Sequence, residues 1–424
     1  MTTQPLKDPD IDKDQEKLLA ERSKRLRDAM ELKQPDRVPI QLDMSYMLAE
    51  MYGVTRQEQH ENEDKELEML EKAALYFQPD SIMGVFNNPG PSIALGDRMT
   101  KFPGHGLGPN GSFQFVEGEY MKSEDYDDFI DDPADWSIRK YWPRVFSELE
   151  GLSLLPPLAL ASSGTYSLTN LQVFKAPQVV KALKALAQAI EAQAKAQARI
   201  ERTTQHMASL GFAPPILAGS FVAAPFDLVS DTLRGMRGIM MDMYRRPEKL
   251  LEAQEKALRF QLEHAIAFRR STGMRSTFIA LHRGSDGFMS LQQFEKFYWP
   301  QFKSMMEQLV EADIMPFVFY EGVWNERLEY LAQLPKGTLG WFQGTDIFRA
   351  KKILGNIMCI VGGMPNTLLK GGTPEEVRQL TIRLCKEVGK GGGFIMTTRV
   401  GEMEGCRPDL VKVWVDTTKE FGKY

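Results

Sequence analysis

From about residue 177 to the C-terminus, the apolar residues switch repeatedly between two spacings. A stretch opening at Pro177, where a fixed φ suits a first helical turn, carries Leu183, Leu186, Ala187 and Ile190 at the helical period and ends near Gly211, a good left-handed cap. Short apolar runs of strand length then alternate with helical patterns. Strands are expected over 215–221, 277–282, 316–320, 339–342, 357–361 and 394–397. Helices are expected over 225–244, 248–271, 291–312, from 326, and over 347–354, 374–388 and 408–421.

The first half is less regular. Residues 1–14 are polar, and 15–32 read as a charged helix. A turn at Gln34-Pro35-Asp36 leads into a strand over 37–44, a helix over 63–77 and a second strand over 81–86. Residues 87–111 are rich in Gly, Pro and Asn, so a lid or binding loop is expected there. A hairpin is expected over 112–122. Residues 124–160 are acidic, then rich in Pro and aromatic residues, and give no order of elements. Strands separated by helices call for right-handed crossovers and a parallel sheet. About eight such units predict an α/β fold, a (β/α)₈ TIM-type barrel with an N-terminal helical extension and long loop insertions. An open doubly wound sheet is the alternative, and it lacks the glycine fingerprint after a first strand. The expected division is a polar extension over 1–24 and one barrel domain over 25–424.

Composition narrows the class. The 424 residues are 43% hydrophobic and 26% charged, with a net charge of −5, and no basic block marks a nucleic-acid partner. The three cysteines, Cys359, Cys385 and Cys406, are too few and too far apart for a disulfide framework. No apolar run is long enough for a membrane span, and the N-terminus has no signal-peptide core. A cytoplasmic protein is expected, with no membrane contact. The glycine run Gly389-Lys390-Gly391-Gly392-Gly393 leads into a strand, not a helix, so it is no phosphate loop. Thr373 reads as the cap of the helix that follows it.

In barrels of this kind functional side chains come from strand C-termini and the loops beyond them. That rule selects Asp43 and Tyr46 after the first strand, and Asn87 with Asn88 after the second. It selects His282, Arg283 and Asp286 after 277–282, Tyr320 and Glu321 after 316–320, and Gln343 and Asp346 after 339–342. It also selects Arg399, Glu402 and Cys406 after 394–397. Any one of these could simply line a loop; a His, an Arg and several acids recurring at one rim point to chemistry. Glu321 ends the most apolar strand, so a partly desolvated carboxyl fit for proton transfer is expected there, the plain alternative being a salt bridge to Arg399 or Arg283. His282 is the one His at a strand end. His60 and His264 read as surface residues, His206 as helical, and His105 as part of the glycine-rich loop.

Several blocks together resemble the uroporphyrinogen decarboxylase superfamily, from about residue 25 to the end. They are Pro35-Asp36-Arg37-Val38-Pro39-Ile40, Phe288 to Phe294 with Tyr298-Trp299-Pro300, Pro316 to Gly322, and Gly362-Gly363-Met364-Pro365 followed by Gly371 to Val377. The decarboxylase branch has an Arg-rich first-strand motif that grips substrate carboxylates; here the position reads Leu42-Asp43-Met44-Ser45-Tyr46. The methyltransferase branch holds zinc with His-x-Cys and a later Cys; here the first motif reads Tyr320-Glu321-Gly322, and Cys406 is the later sulfur.

The resemblance therefore implies a methyltransferase that moves a methyl group from a small ether- or amine-type donor to a corrinoid (cobalamin-type) cofactor on a partner carrier protein. Its catalytic set is expected to be Glu321, His282, Asp286 and Tyr320, with Asp43, Tyr46, Asn87, Asp346 and Arg399 binding substrate. A zinc site drawn from His282, Glu321, Cys359 and Cys406 is the metal alternative. A decarboxylase of a tetrapyrrole or other polyacid is the competing activity, and a non-catalytic barrel binding a tetrapyrrole or corrinoid is a third reading. A homodimer is compatible with all of these.

Overall fold

Eight parallel strand segments close on themselves in the computed structural model, which describes residues 13–85, 88–217 and 219–424. The barrel strands are β1 (Gln41–Asp43), β2 (Ser81–Met83), β3 (Ser220–Phe221), β4 (Ser276–Leu281), β5 (Met315–Tyr320), β6 (Thr338–Phe342), β7 (Met358–Met364) and β8 (Phe394–Thr398). Strands β3 to β8 form one parallel sheet in chain order, and β1 pairs with β2. Two bridges complete the circle: Ile40 beside Met396, with the Met396 N–H donating to Pro39 O (2.9 Å), and Ser81 beside Ala213. The predicted (β/α)₈ barrel is what forms.

Strand β3 is much shorter than the expected 215–221. Pro214 and Pro215 supply no N–H for a ladder. Pairing starts only after Gly219, where φ is +143° and a Cβ would lie 2.0 Å from Ser276 O. Only a glycine lets β3 approach β4 this closely.

Side-chain parity divides the core. Phe317, Leu339, Trp341, Cys359, Val361 and Ile395 fill the barrel interior, whereas Val318, Tyr320, Phe342, Ile360 and Met396 pack outward against the helices. One set follows from the other because successive strand side chains point to opposite faces. The N-terminal mouth is plugged by helix Lys13–Met30, which adds Leu26 and Ala29 to the interior. Its Arg25 pairs with the fully buried Asp80, which also accepts from Arg37 (2.8 Å) and from the Ile40 N–H (2.8 Å). Arg22 donates to Gly211 O (2.7 Å). The boundary expected at residue 24 thus falls inside a helix that is anchored on both sides of it.

The segment expected to be an irregular loop over 87–111 holds helix Gly90–Leu95 and strand Thr100–Pro103. The hairpin expected over 112–122 does not form. Gln114–Phe115 instead pairs antiparallel with Thr100–Lys101, and residues 116–122 run along the rim. Short helical turns cover most of 123–175 and lead into helix Pro177–Ser209. Among the described residues no helix is long and apolar enough to cross a membrane.

Candidate active site

The inward parity of the strands brings Asp43, Glu321 and Gln343 to one mouth of the barrel. There they line a pocket of about 370 Å³ together with Tyr46, Phe278, Phe319, Trp341 and Glu402. The indole of Trp341 is fixed by donating to Thr398 O (2.8 Å), and its ring lies 4.8 Å from Phe319 at 57°. Phe113, from the segment between β2 and β3, adds a wall. A hollow of about 520 Å³ outside the barrel, lined by Glu58, Glu61, Glu63, Asp64 and Arg202, contains none of the rim residues.

Glu321 belongs to a chain of polar groups running back from the pocket. Its Oε2 lies 3.5 Å from His282 Nε2, and His282 Nδ1 lies 2.5 Å from Asp231 Oδ2. Asp231 also accepts from Arg283 Nε (2.8 Å), and Arg283 reaches Glu117 (3.3 Å). Asp227, buried one turn earlier than Asp231, accepts from the backbone N–H groups of His282 (3.2 Å) and Arg283 (3.0 Å) and from the Tyr298 hydroxyl (2.7 Å). Burial opposes charge on His282, but the hydrogen bond to Asp231 and the fields of Asp227, Asp231 and Glu321 outweigh it and raise the ring to about 9. The imidazolium is therefore the form present at neutral pH. Burial, then Asp231, pushes Asp227 above the usual carboxylate range. Burial and Asp227 raise Tyr298 as well, which keeps its hydroxyl a donor.

Asp43 faces Glu402 across the pocket. Burial first, and then the charge of Glu402, lift the Asp43 carboxyl well above its ordinary value, against one stabilising backbone hydrogen bond at Ser45. Burial, followed by Glu404, also raises Glu402. Gln343 Oε1 accepts from the Gly322 N–H (2.6 Å) and fixes the turn that follows Glu321.

Several expected site residues do other work. Tyr320 is fully buried on the outward face of β5, stacked on Phe342 at 4.7 Å, so it does not reach the pocket. Asp286 accepts from the Glu326 N–H (3.0 Å) and ties two rim loops together. The Asp346 side chain caps helix Ile347–Leu354 by accepting from Phe348 N (3.0 Å) and Arg349 N (3.2 Å). Arg399 is half-buried; its Nε lies 3.4 Å from Gly363 O, and it forms no salt bridge with Glu321. Arg283 pairs with Asp231 and Glu117 instead. Glu321 is 46% exposed rather than desolvated, because its strand ends at the open mouth. Tyr46 is buried, with its hydroxyl 2.9 Å from His60 Nε2. His60 is buried rather than on the surface, and burial, then Arg199, depresses its ring to about 4. Asn87 lies outside the described residues, and Asn88 caps a turn at Gly90 N (2.7 Å).

Of the four metal candidates, His282 and Glu321 meet at 3.5 Å, and the two cysteines lie apart from them. Cys359 lies in the barrel interior beside Leu339 and Ile395, where burial pushes its thiol up to about 12. Cys406 lies against Asn366 O (3.8 Å), and burial raises it to about 11. Among the described residues no group of three or more His, Cys, Asp or Glu side chains is set to hold a metal ion.

Asp227, Asp231, Tyr298, Glu117 and Trp341 were not selected by the strand-end rule. Asp227 and Asp231 do carry a signal: two acids four residues apart, just after β3 and at the start of a helix, share a face.

A closed parallel barrel whose ionisable groups meet at the C-terminal mouth is the architecture of a barrel enzyme. Residues 172–421 match the uroporphyrinogen decarboxylase (URO-D) family, and the chain belongs to that family. It is 27% identical over 218 residues to a uroporphyrinogen decarboxylase from Neisseria meningitidis, a match covering 48% of this chain and 58% of that relative. It is 26% identical over 136 residues to one from Chlorobium phaeovibrioides, covering 31% and 38%. The match thus covers less than two thirds of the length of these curated relatives. A methyltransferase from Methanosarcina mazei has the same overall fold, with a TM-score of 0.58 and 14% identity over 94% of this chain and 98% of that one.

Proposed function

We propose that this barrel transfers a methyl group from a small methylated donor to a corrinoid carried by a partner protein that docks over the open rim. The carrying observation is the lining of the pocket: Asp43, Glu321 and Glu402 beside aromatic walls, with no Lys or Arg among the described residues. A tetrapyrrole polyacid needs cations to hold its carboxylates, and these acids would repel it. That weighs against decarboxylation as the activity, although the curated relatives are decarboxylases.

The volume supports the same reading. At about 370 Å³ the pocket is near the low end of small-ligand sites, which run from about 300 to 1,000 Å³. It suits a small donor and leaves the corrinoid outside, on its carrier. The corrinoid would supply the nucleophilic centre that accepts the methyl group. This chain's own residues would seat the donor and handle the proton that the departing heteroatom takes up. Glu321 faces the donor, and His282, held charged by Asp231, replenishes it.

Glu321→Gln tests this with purified protein, a reduced corrinoid and a panel of methyl ethers and methylamines. Transfer is expected to fall about 10²–10⁴-fold, the usual contribution of a positioned acid, with the fold intact. An unchanged rate would remove Glu321 from the reaction. Carbon dioxide release from a polyacid without any corrinoid would replace the proposal with the decarboxylase.

A further inference from the structure

The ionisable groups in the pocket wall are acids and one phenol. Asp43, Glu321 and Glu402 contribute carboxyl groups, and among the described residues no Lys, Arg or His side chain belongs to the lining. The group that offsets Glu321, His282, lies behind it at 3.5 Å. The neighbouring charge that acts on Asp43 is another acid, Glu402. The charge of Glu402 opposes charge on Asp43, and Glu321 is among the acids that oppose charge on Glu402, so a cation at the centre relieves both.

The rest of the wall is of the kind that binds organic cations. Phe113, Phe278, Phe319 and Trp341 surround the hollow, and the 57° tilt between Trp341 and Phe319 forms an angled recess, not a flat stack. Aromatic faces attract alkylammonium groups through their quadrupoles, and most strongly where water is excluded. A neutral methyl ether offers nothing for the three acids to meet.

We infer that the donor bound here is a cation, a small quaternary or tertiary methylammonium compound whose methyl groups rest on Trp341 and Phe319 and whose charge faces Asp43, Glu321 and Glu402. The chemistry of this inference rests on the methyl-transfer reading above; the binding does not. In the transfer, the carbon–nitrogen bond breaks and its electron pair stays on nitrogen. The corrinoid, when bound, would supply the electron pair for the new bond to the methyl carbon. The nitrogen of the departing amine takes a proton from the Glu321–His282 chain as the bond breaks.

The titration of Asp43 gives the inference a second signature. Burial and Glu402 favour the neutral carboxyl, whereas a bound cation favours the carboxylate. Binding therefore releases a proton, and affinity for a cation rises with pH. Affinity for a neutral ligand of the same shape has no such rise.

Choline and its neutral isostere 3,3-dimethyl-1-butanol provide the test, by calorimetry and by indole fluorescence of the full chain at pH 6, 7 and 8. Choline is expected to bind at least about tenfold more tightly, an effect of the size a desolvated cation–aromatic contact gives, and to gain affinity as pH rises. Glu402→Gln, at the exposed lip, and Asp43→Asn, checked for fold by circular dichroism, should each weaken choline about tenfold and leave the alcohol unchanged. Equal binding of the two ligands, no binding of choline, or preference for methoxybenzene would overturn the inference. Choline bound in this manner, with no donor on the panel methylating the corrinoid, would instead overturn methyl transfer and leave the cation site standing.

Discussion

Asp231→Asn is the sharpest perturbation of the polar chain behind the pocket. In the native protein the His282 ring is raised from 6.5 to about 9. At about 1.4 kcal/mol for each tenfold change in proton affinity, that rise corresponds to ~3 kcal/mol favouring the imidazolium in the fold. The side chain is 39% exposed, so water screens part of the effect, and ~1–2 kcal/mol is the stability expected from it. Because the folded value is raised, this contribution is complete below pH 6.5 and is lost as pH rises through about 9. Asp231→Asn removes the carboxylate charge 2.5 Å from Nδ1 and leaves the opposing burial in place, so the ring should fall back toward its ordinary value. The variant also loses the contact to Arg283 (2.8 Å), a cost independent of pH in this range. The stability gap between native and variant should therefore narrow by ~1–2 kcal/mol between pH 6 and pH 10. Nuclear magnetic resonance titration of the five histidines, with His282→Gln for assignment, reads the ring directly. Chemical denaturation across pH reads the gap. With saturating donor, methyl transfer in the native protein should stay flat through neutral pH and fall above about 9. A native His282 that titrates near 6.5, or a stability gap constant with pH, would refute the reasoning.

Two further substitutions separate structural residues from the site. Among the described residues the buried Tyr320 hydroxyl has no hydrogen-bond partner, so Tyr320→Phe should leave turnover unchanged and be neutral or stabilising by up to about 1 kcal/mol in thermal denaturation. Asp346→Ala removes a helix cap and should cost about 1 kcal/mol of stability; measured with saturating donor, turnover should not change.

The barrel was legible because its signal is local. Each strand is a short apolar run and each helix carries its own period, so β5, β6, β8 and helices such as Glu63–Phe77 fall where the pattern puts them. The element that shrank, β3, did so for a reason also local, the two prolines at 214 and 215. Residues 87–175 resisted because short helices and strands of two to four residues carry too few positions for a period to accumulate. The expected hairpin failed there because the partner of Gln114–Phe115 lies before it, at Thr100–Lys101, and pairing across a loop leaves no mark in either segment alone.

The site was legible only to the extent that strand parity dictates it. Parity carries Asp43, Glu321 and Gln343 into the pocket, and the same parity turns Tyr320 outward, so one rule accepts the first three residues and rejects the fourth. Proximity to a strand end is weaker than parity, and it selected Asp286 and Asp346, whose carboxylates are taken up by backbone N–H groups of the loops themselves. The partner of His282 is a different kind of fact. Asp231 lies 51 residues earlier, on the helix after the neighbouring strand, and it meets the histidine because adjacent strands of a parallel barrel deliver their loops to the same rim. Nothing in either segment specifies the other. The charge state of His282, and with it any acid role for Glu321, is set by that non-local meeting, and the closed circle of strands is what brings it about.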